Sequence, residues 1–121
     1  MRSKIFLVSA ITAFFLANSV MSQDKWDEVK ITSQAVSESV HMLAGMGGNI
    51  GVSVGPEGIL VIDDQYAPLA EKIAAAIGDI SKQPIKYIVN THYHGDHTGS
   101  NAYFTEVKGS TIFAHNNVRK R

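Results

Sequence analysis

The alternation of apolar and polar positions divides the chain into short elements. A first strand is expected near Val36 to Leu43, after a polar lead from Gln23 in which Trp26, Val29 and Ile31 are scattered apolar points. Ala44 to Gly48 is a glycine-rich turn. From Asn49 to Val54 the pattern has period two, with Ile50, Val52 and Val54 on one side, which predicts a half-buried strand. Gly55-Pro56-Glu57-Gly58 signals a turn. The unbroken apolar run Ile59 to Ile62 predicts a strand buried on both faces, ending at Asp63-Asp64. Pro68 fits the first turn of a helix whose apolar face is Leu69, Ile73, Ala76, Ile77 and Ile80. Ser81 to Pro84 breaks that pattern, and Ile85 to Asn90 reads as a strand again. Strand, helix and strand over some thirty residues make a βαβ unit, so the flanking strands should be parallel neighbours. Helical spacing near Asn101 to Phe104, a strand at Thr111 to Ala114 and a helix start at Asn116 to Arg121 complete the pass. The fold class is α/β.

Residues 1–22 differ from the rest. Arg2 and Lys4 precede an almost wholly apolar run, Ile5 to Leu16, and then a small, mildly polar stretch, Ala17 to Ser22. This is the pattern of a secretory signal peptide, and the run is shorter than the roughly 20 residues a membrane span needs. Cleavage fits after Ser19 or after Ser22, the second being preferred; an uncleaved N-terminal anchor is the alternative. The domain expectation is a signal peptide over 1–22 and one domain from residue 23, in the periplasm or secreted, without stable membrane association after cleavage. The chain stops inside a basic helix without a cap, which is read as truncation of that domain.

Composition narrows the functional classes. Of 121 residues, 45% are apolar and 18% charged, as in ordinary globular proteins. Eleven basic and eleven acidic residues give no global field to attract nucleic acid. The run Arg119-Lys120-Arg121 is read as a solvated helix face. Loss of 1–22 would remove Arg2 and Lys4 and no acid, leaving a net charge of −2. There are no cysteines, so disulfides and thiolate metal sites are excluded.

The chemistry concentrates in Thr91 to Asn101, directly after the strand Ile85–Asn90. In open parallel sheets, ligands gather at the carboxyl ends of strands. Three of the five histidines, His92, His94 and His97, fall within six positions, with Asp96 among them. Imidazole and carboxylate are zinc's ligands where thiolate is absent. His92 and His94 are two apart and project to one side of an extended backbone. Gly95 is expected to let the chain turn, so that Asp96 and His97 face inward from the other limb, and Gly99 to let the backbone pass close before the next helix. The spacing suggests two adjacent sites, His92 with His94 and Asp96 with His97. Neither pair is sufficient, because a catalytic zinc takes about three protein ligands and a water. Asp63, on the same edge, is a candidate to orient a ligating histidine, with a strand-end turn as the alternative; Asp64 is the weaker candidate. His115 ends a third strand on that edge and suits a supporting or helix-capping role rather than ligation. His41 reads as packing or surface, and Tyr93 as a packed ring.

The segment His92-Tyr93-His94-Gly95-Asp96-His97 resembles the His-x-His-x-Asp-His signature of the metallo-β-lactamase superfamily. Asn49 to Asp64, with its turn and its buried strand ending in aspartate, is also similar to the N-terminal half of that fold. The resemblance covers Val36 to Arg121 and is specific for the superfamily, not for a substrate. Its members include β-lactamases, glyoxalase-type thioester hydrolases, lactonases, sulfatases and nucleases. The chain looks most like exported members whose strand ends Ile-Asp-Asp and whose later segment reads Ala-His-x-Asn-Val-Arg, mostly uncharacterised hydrolases. The resemblance implies the N-terminal αβ half of a four-layer αββα sandwich. It also implies one or two zinc ions, with His92 and His94 on the first, Asp96 and His97 on the second, and Asp96 orienting the attacking water. The expected activity is hydrolysis of a small ester, thioester, lactone or β-lactam by metal-activated water. A true β-lactamase and a metal-binding protein without catalysis are the alternatives. The expected partner is a small-molecule substrate, not nucleic acid.

Overall fold

The computed structural model describes residues 25–120; the signal-peptide segment expected over 1–22 lies outside them. Six strands form one sheet in sequence order. They are β1 (Thr32–Ala35), β2 (Val40–Ala44), β3 (Ile50–Gly55), β4 (Gly58–Ile62), β5 (Ile85–Asn90) and β6 (Thr111–Ala114). β1 to β4 run antiparallel, while β4, β5 and β6 are parallel. The two parallel connections carry helices, as parallel pairs require. Between β4 and β5 a 3₁₀ turn, Ala67–Leu69, leads into α1 (Ala70–Ile80). Between β5 and β6 come α2 (Gly95–Thr98) and α3 (Asn101–Glu106), and α4 (Asn116–Arg119) follows β6. The βαβ reading and the parallel pairing of β4 with β5 agree with the pattern of the sequence.

One sheet face builds the core. Leu43, Ile50, Val52, Ile59, Val61 and Ile88 pack against Leu69, Ile73 and Ile77 of the first helical segment and Phe104 of α3. Each fully buried aliphatic side chain stabilises the fold by about 1.5–3 kcal/mol. The opposite face carries two cross-strand rows. One is Val40, Ser53, Leu60, Tyr87 and Thr111; the other is Met42, Gly51, Ile62, Val89 and Phe113. Here the structure corrects the sequence. β4 buries Ile59 and Val61 but leaves Ile62 39% exposed, and Tyr87 and Phe113 are 44% and 52% exposed. The strand therefore has one covered face among the described residues.

A second correction concerns the first expected strand. Val36 to Ser39 is a turn between β1 and β2, and Val36 at its start is 65% exposed. The turn contains no glycine or proline. It closes through the N–H groups of Val36 and Ser37 donating to the carbonyl of Val40, 2.8 and 3.0 Å, and through Val40 N–H donating to Ser37 Oγ, 3.2 Å.

The segment before β1 is tied down by Lys72 and by its own apolar side chains, Trp26, Val29 and Ile31, packed against the core. Lys72 Nζ on α1 donates to the carbonyls of Trp26, Asp27 and Val29 at 2.9, 2.7 and 2.9 Å, and the Trp26 ring lies 5.2 Å from that of Tyr66. Lys72→Met keeps the stem and removes all three charge-assisted bonds. A loss of about 1–3 kcal/mol is expected in urea unfolding, together with faster tryptic cleavage at Lys30. Unchanged stability and cleavage would show that the clamp contributes nothing.

Candidate metal centre

The centre is assembled at the carboxyl ends of β4 and β5, where two connections leave the sheet side by side. After β4 the backbone turns through two left-handed residues, Asp63 (φ 62°) and Gln65 (φ 56°). Left-handed backbone is uncommon outside glycine and costs of order 1 kcal/mol or more per residue. It places three consecutive polar side chains inside the protein: Asp63, Asp64 and Gln65 are all buried.

Asp63 faces the histidine loop. Its Oδ1 accepts from the N–H of Thr91 and its Oδ2 from the Thr91 hydroxyl, both at 2.8 Å. The same Oδ2 lies 2.7 Å from Nδ1 of His97. A carboxylate at that distance fixes the proton on Nδ1 and leaves Nε2 with its lone pair outward. The His97 backbone is pinned as well: its carbonyl accepts from Asp64 N–H and from Asn90 Nδ2, both at 3.1 Å. Asn90 Oδ1 in turn accepts from Asn101 Nδ2 at 2.7 Å.

The other members of the motif meet at this ring. His92 Nε2 and His94 Nδ1 are 3.2 Å apart, so the two alternate side chains converge. The rings of His92 and His97 have centroids 4.0 Å apart. Asp96 Oδ2 lies 3.4 Å from His97 Nε2. The four side chains form one continuous cluster, with His92 against His97 joining the His92–His94 and Asp96–His97 pairs. Imidazole nitrogens and a carboxylate oxygen gathered in this way are the donor atoms that a shared cation takes. One ligand-type atom from each of Asp63, His92 and His97 also falls within 4.8 Å of the others. Both Asp63 oxygens already accept from Thr91 and His97, so its geometry is that of a carboxylate holding an imidazole.

Of the two glycines, Gly99 acts as expected and Gly95 does not. Gly95 has no positive φ, and a β-carbon there would meet only Tyr66 Cε1 at 3.9 Å, an ordinary contact. The chain turns instead by entering α2 after His94, whose carbonyl accepts from His97 and Thr98 N–H. Gly99 is required by space: a β-carbon would lie 2.6 Å from the Gly95 carbonyl oxygen and 2.7 Å from that of Gln65.

Asp64 lies behind the cluster. Its Oδ1 accepts from Ser100 N–H at 3.0 Å, and among the described residues its Oδ2 has no hydrogen-bond partner. Burial pushes its carboxyl up from 3.8 to about 7, opposed by the Ser100 bond and assisted by the neighbouring charge of Asp63. His115 precedes α4 and its Nδ1 accepts from Asn117 N–H at 3.2 Å, so of the roles expected for it the structure displays the helix cap. Tyr93 is 45% exposed rather than packed, its ring 4.7 Å from that of His94. Thr91, Asn90 and Gln65 were not singled out by sequence. The only local signal was a run of three polar residues ending a buried strand.

A family model described as the metallo-beta-lactamase superfamily matches residues 46–120, which span the glycine turn, β3 to β6 and the whole histidine loop. The chain belongs to the metallo-β-lactamase superfamily. Solved structures of such proteins share the fold. They include FIM-1 from Pseudomonas aeruginosa in a mono-zinc form (TM-score 0.68, 22% identity, 76% of this chain and 45% of that one). A Cronobacter sakazakii metallo-β-lactamase with a HARLDQ motif gives a TM-score of 0.70 at 21% identity, over 81% of this chain and 38% of that one. MEM-A1, a subclass B3 enzyme from a soil metagenome library, gives 0.69 at 26% identity, over 78% and 36%. The chain thus spans between 36% and 45% of the length of these proteins. Its single sheet with helices against one face corresponds to an αβ half of the superfamily's layered sandwich. Among the described residues, no helix is long and apolar enough to cross a membrane.

Proposed function

We propose that this chain carries the metal-binding loop of a zinc-dependent hydrolase, with His92, His94, Asp96 and His97 as ligands to one or two ions. The observation that carries the reading is the convergence of His92, His94 and Asp96 on His97, whose Nδ1 is held by Asp63 and whose Nε2 is thereby left to bind. Three imidazoles and a carboxylate, with no cysteine in the chain, suit zinc by donor type.

When bound there, zinc supplies Lewis acidity, lowering the pKa of a coordinated water from about 15.7 toward 7. The chain's own residues do the rest. Asp63 keeps His97 in one tautomer and one orientation. Thr91 locks Asp63 through two hydrogen bonds. Asp96, its side chain 28% exposed, would be the group to accept a hydrogen bond from the attacking water and orient it. The substrate class is a small ester, thioester, lactone or β-lactam. The signal-like pattern of residues 1–22 supports a periplasmic or secreted location and no stable membrane association once it is cleaved. The balance of charge argues against nucleic acid as partner.

The test is an acyl-substrate panel containing an aryl ester, a thioester, a lactone and a chromogenic cephalosporin, run with the zinc-loaded protein, after chelation, and after zinc is restored. Turnover of one of the first three, lost on chelation and recovered with zinc, is expected. Cephalosporin turnover would favour a true β-lactamase, which the 26% identity to MEM-A1 makes the second reading. Zinc binding without any turnover would leave a metal-binding protein without catalysis.

A further inference from the structure

Gln65 is fully buried, although neither the fold nor the proposed chemistry calls for an amide at that place. Its left-handed backbone turns the side chain away from the histidine loop and back toward the glycine turn between β2 and β3, 17 to 19 residues upstream. There its Oε1 accepts from Met46 N–H at 3.4 Å and its Nε2 donates to the carbonyl of Gly48. Among the described residues, these bonds tie the tip of that turn to the body of the protein.

The turn presses on the cluster. A β-carbon on Gly48 would lie 2.6 Å from Nε2 of His97, and one on Gly47 would lie 2.7 Å from Cβ of Asp96 and 3.1 Å from the Tyr66 ring. Gly47 also has φ 91°. The backbone of Gly47 and Gly48 is therefore in contact with His97 and Asp96, and only glycine leaves room for that approach. Asp63 holds His97 at its Nδ1, while the glycine turn lies against the Cε1–Nε2 edge of the ring.

We infer that Gln65 is a positioning residue for the metal centre, seating the Gly45–Gly48 turn against His97 and Asp96 so that the turn forms one wall of the ion's space. The inference rests on the metal reading above. An amide suits the task because one buried group must donate and accept at once; an ionised carboxylate lacks the donor, and a thioether lacks the donor and accepts only weakly. The strained backbone at Gln65 is what allows the side chain to reach the turn.

The experiment compares the full chain with Gln65→Met, which keeps the volume and removes both bonds, and with Gly48→Ala, which leaves Gln65 intact and pushes on His97 directly. Two quantities are read: the imidazole nitrogen resonances in the metal-free protein, and zinc affinity by competition with a chromogenic chelator. Thermal melting serves as the control for folding. Both variants are expected to fold, to shift the His97 resonances while those of His41 and His115 stay in place, and to weaken zinc binding at least tenfold. Gln65→Met with His97 resonances and affinity within twofold of the parent would overturn the inference, and so would unfolding of both variants, which would assign Gln65 to the fold alone. If the parent binds no zinc, the metal reading fails, whereas the resonances of the metal-free proteins still decide whether Gln65 positions His97.

Discussion

Asp63→Asn is expected to weaken zinc binding about 10- to 100-fold while leaving the fold in place. The asparagine Oδ1 can still accept from Thr91 N–H, and its amide can donate to the Thr91 hydroxyl, so the pairing with Thr91 survives. The loss falls on His97. Where the carboxylate accepted from Nδ1 at 2.7 Å, the amide presents a second donor. His97 must move its proton to Nε2, the nitrogen beside Asp96, and then has no lone pair to offer there. The stability cost should be about 1–3 kcal/mol, from exchanging a buried charge-assisted bond for a neutral one. Zinc competition measures the affinity, and imidazole nitrogen resonances report the tautomer directly. A variant that binds zinc as the parent does, with Nδ1 still protonated, would show that Asp63 is only a turn residue.

The second large effect concerns Asp64 and acts on stability. Its carboxyl is raised to about 7 when folded, chiefly by burial, against an ordinary 3.8. Between those values the folded protein retains a proton that the unfolded chain has lost, so folding is favoured most at low pH. The contribution is fully present below about 4, falls as pH rises toward about 7, and is gone above it. Its full size is up to about 4 kcal/mol, from roughly 1.4 kcal/mol per pH unit. Asp64→Asn removes the titration while keeping an acceptor for Ser100 N–H. The variant should therefore gain on the parent as pH rises from about 4 to 8. Urea unfolding of both proteins with chelator present measures this difference, and the histidines, common to both, largely cancel. A difference that stays constant with pH would mean that Asp64 remains ionised in the fold.

How much of this was legible in the sequence depends on how local each determinant is. The βαβ unit was plain, because β4, α1 and β5 each carry a clear apolar pattern and Gly58, Pro68 and Pro84 mark where they begin. The clustering of His92, His94, Asp96 and His97 was plain too, because four ligand-type residues within six positions need no tertiary information. The β1–β2 hairpin was misread because its turn is closed by Ser37 and Val40 rather than by glycine or proline. The apolar run of β4 suggested two covered faces, but a run records what a strand can bury, and among the described residues the Ile62 side is left exposed. Asp63 could be suspected from its place at a strand end, but its partners Thr91 and His97 lie 28 and 34 residues away. Gln65 was invisible. Its role depends on a left-handed backbone angle that its own side chain does not favour, and on a turn formed long before it in the chain.

The central claim is that His92, His94, Asp96 and His97 together hold a metal ion. Its most direct test is a zinc titration, by chelator competition, of the chain and of the double variant His92→Ala/His97→Ala, with both shown to be folded by circular dichroism. The account predicts specific binding of one or two zinc ions by the parent and at least a hundredfold weaker binding by the variant. Equal affinities, or no specific binding by the folded parent, would contradict it.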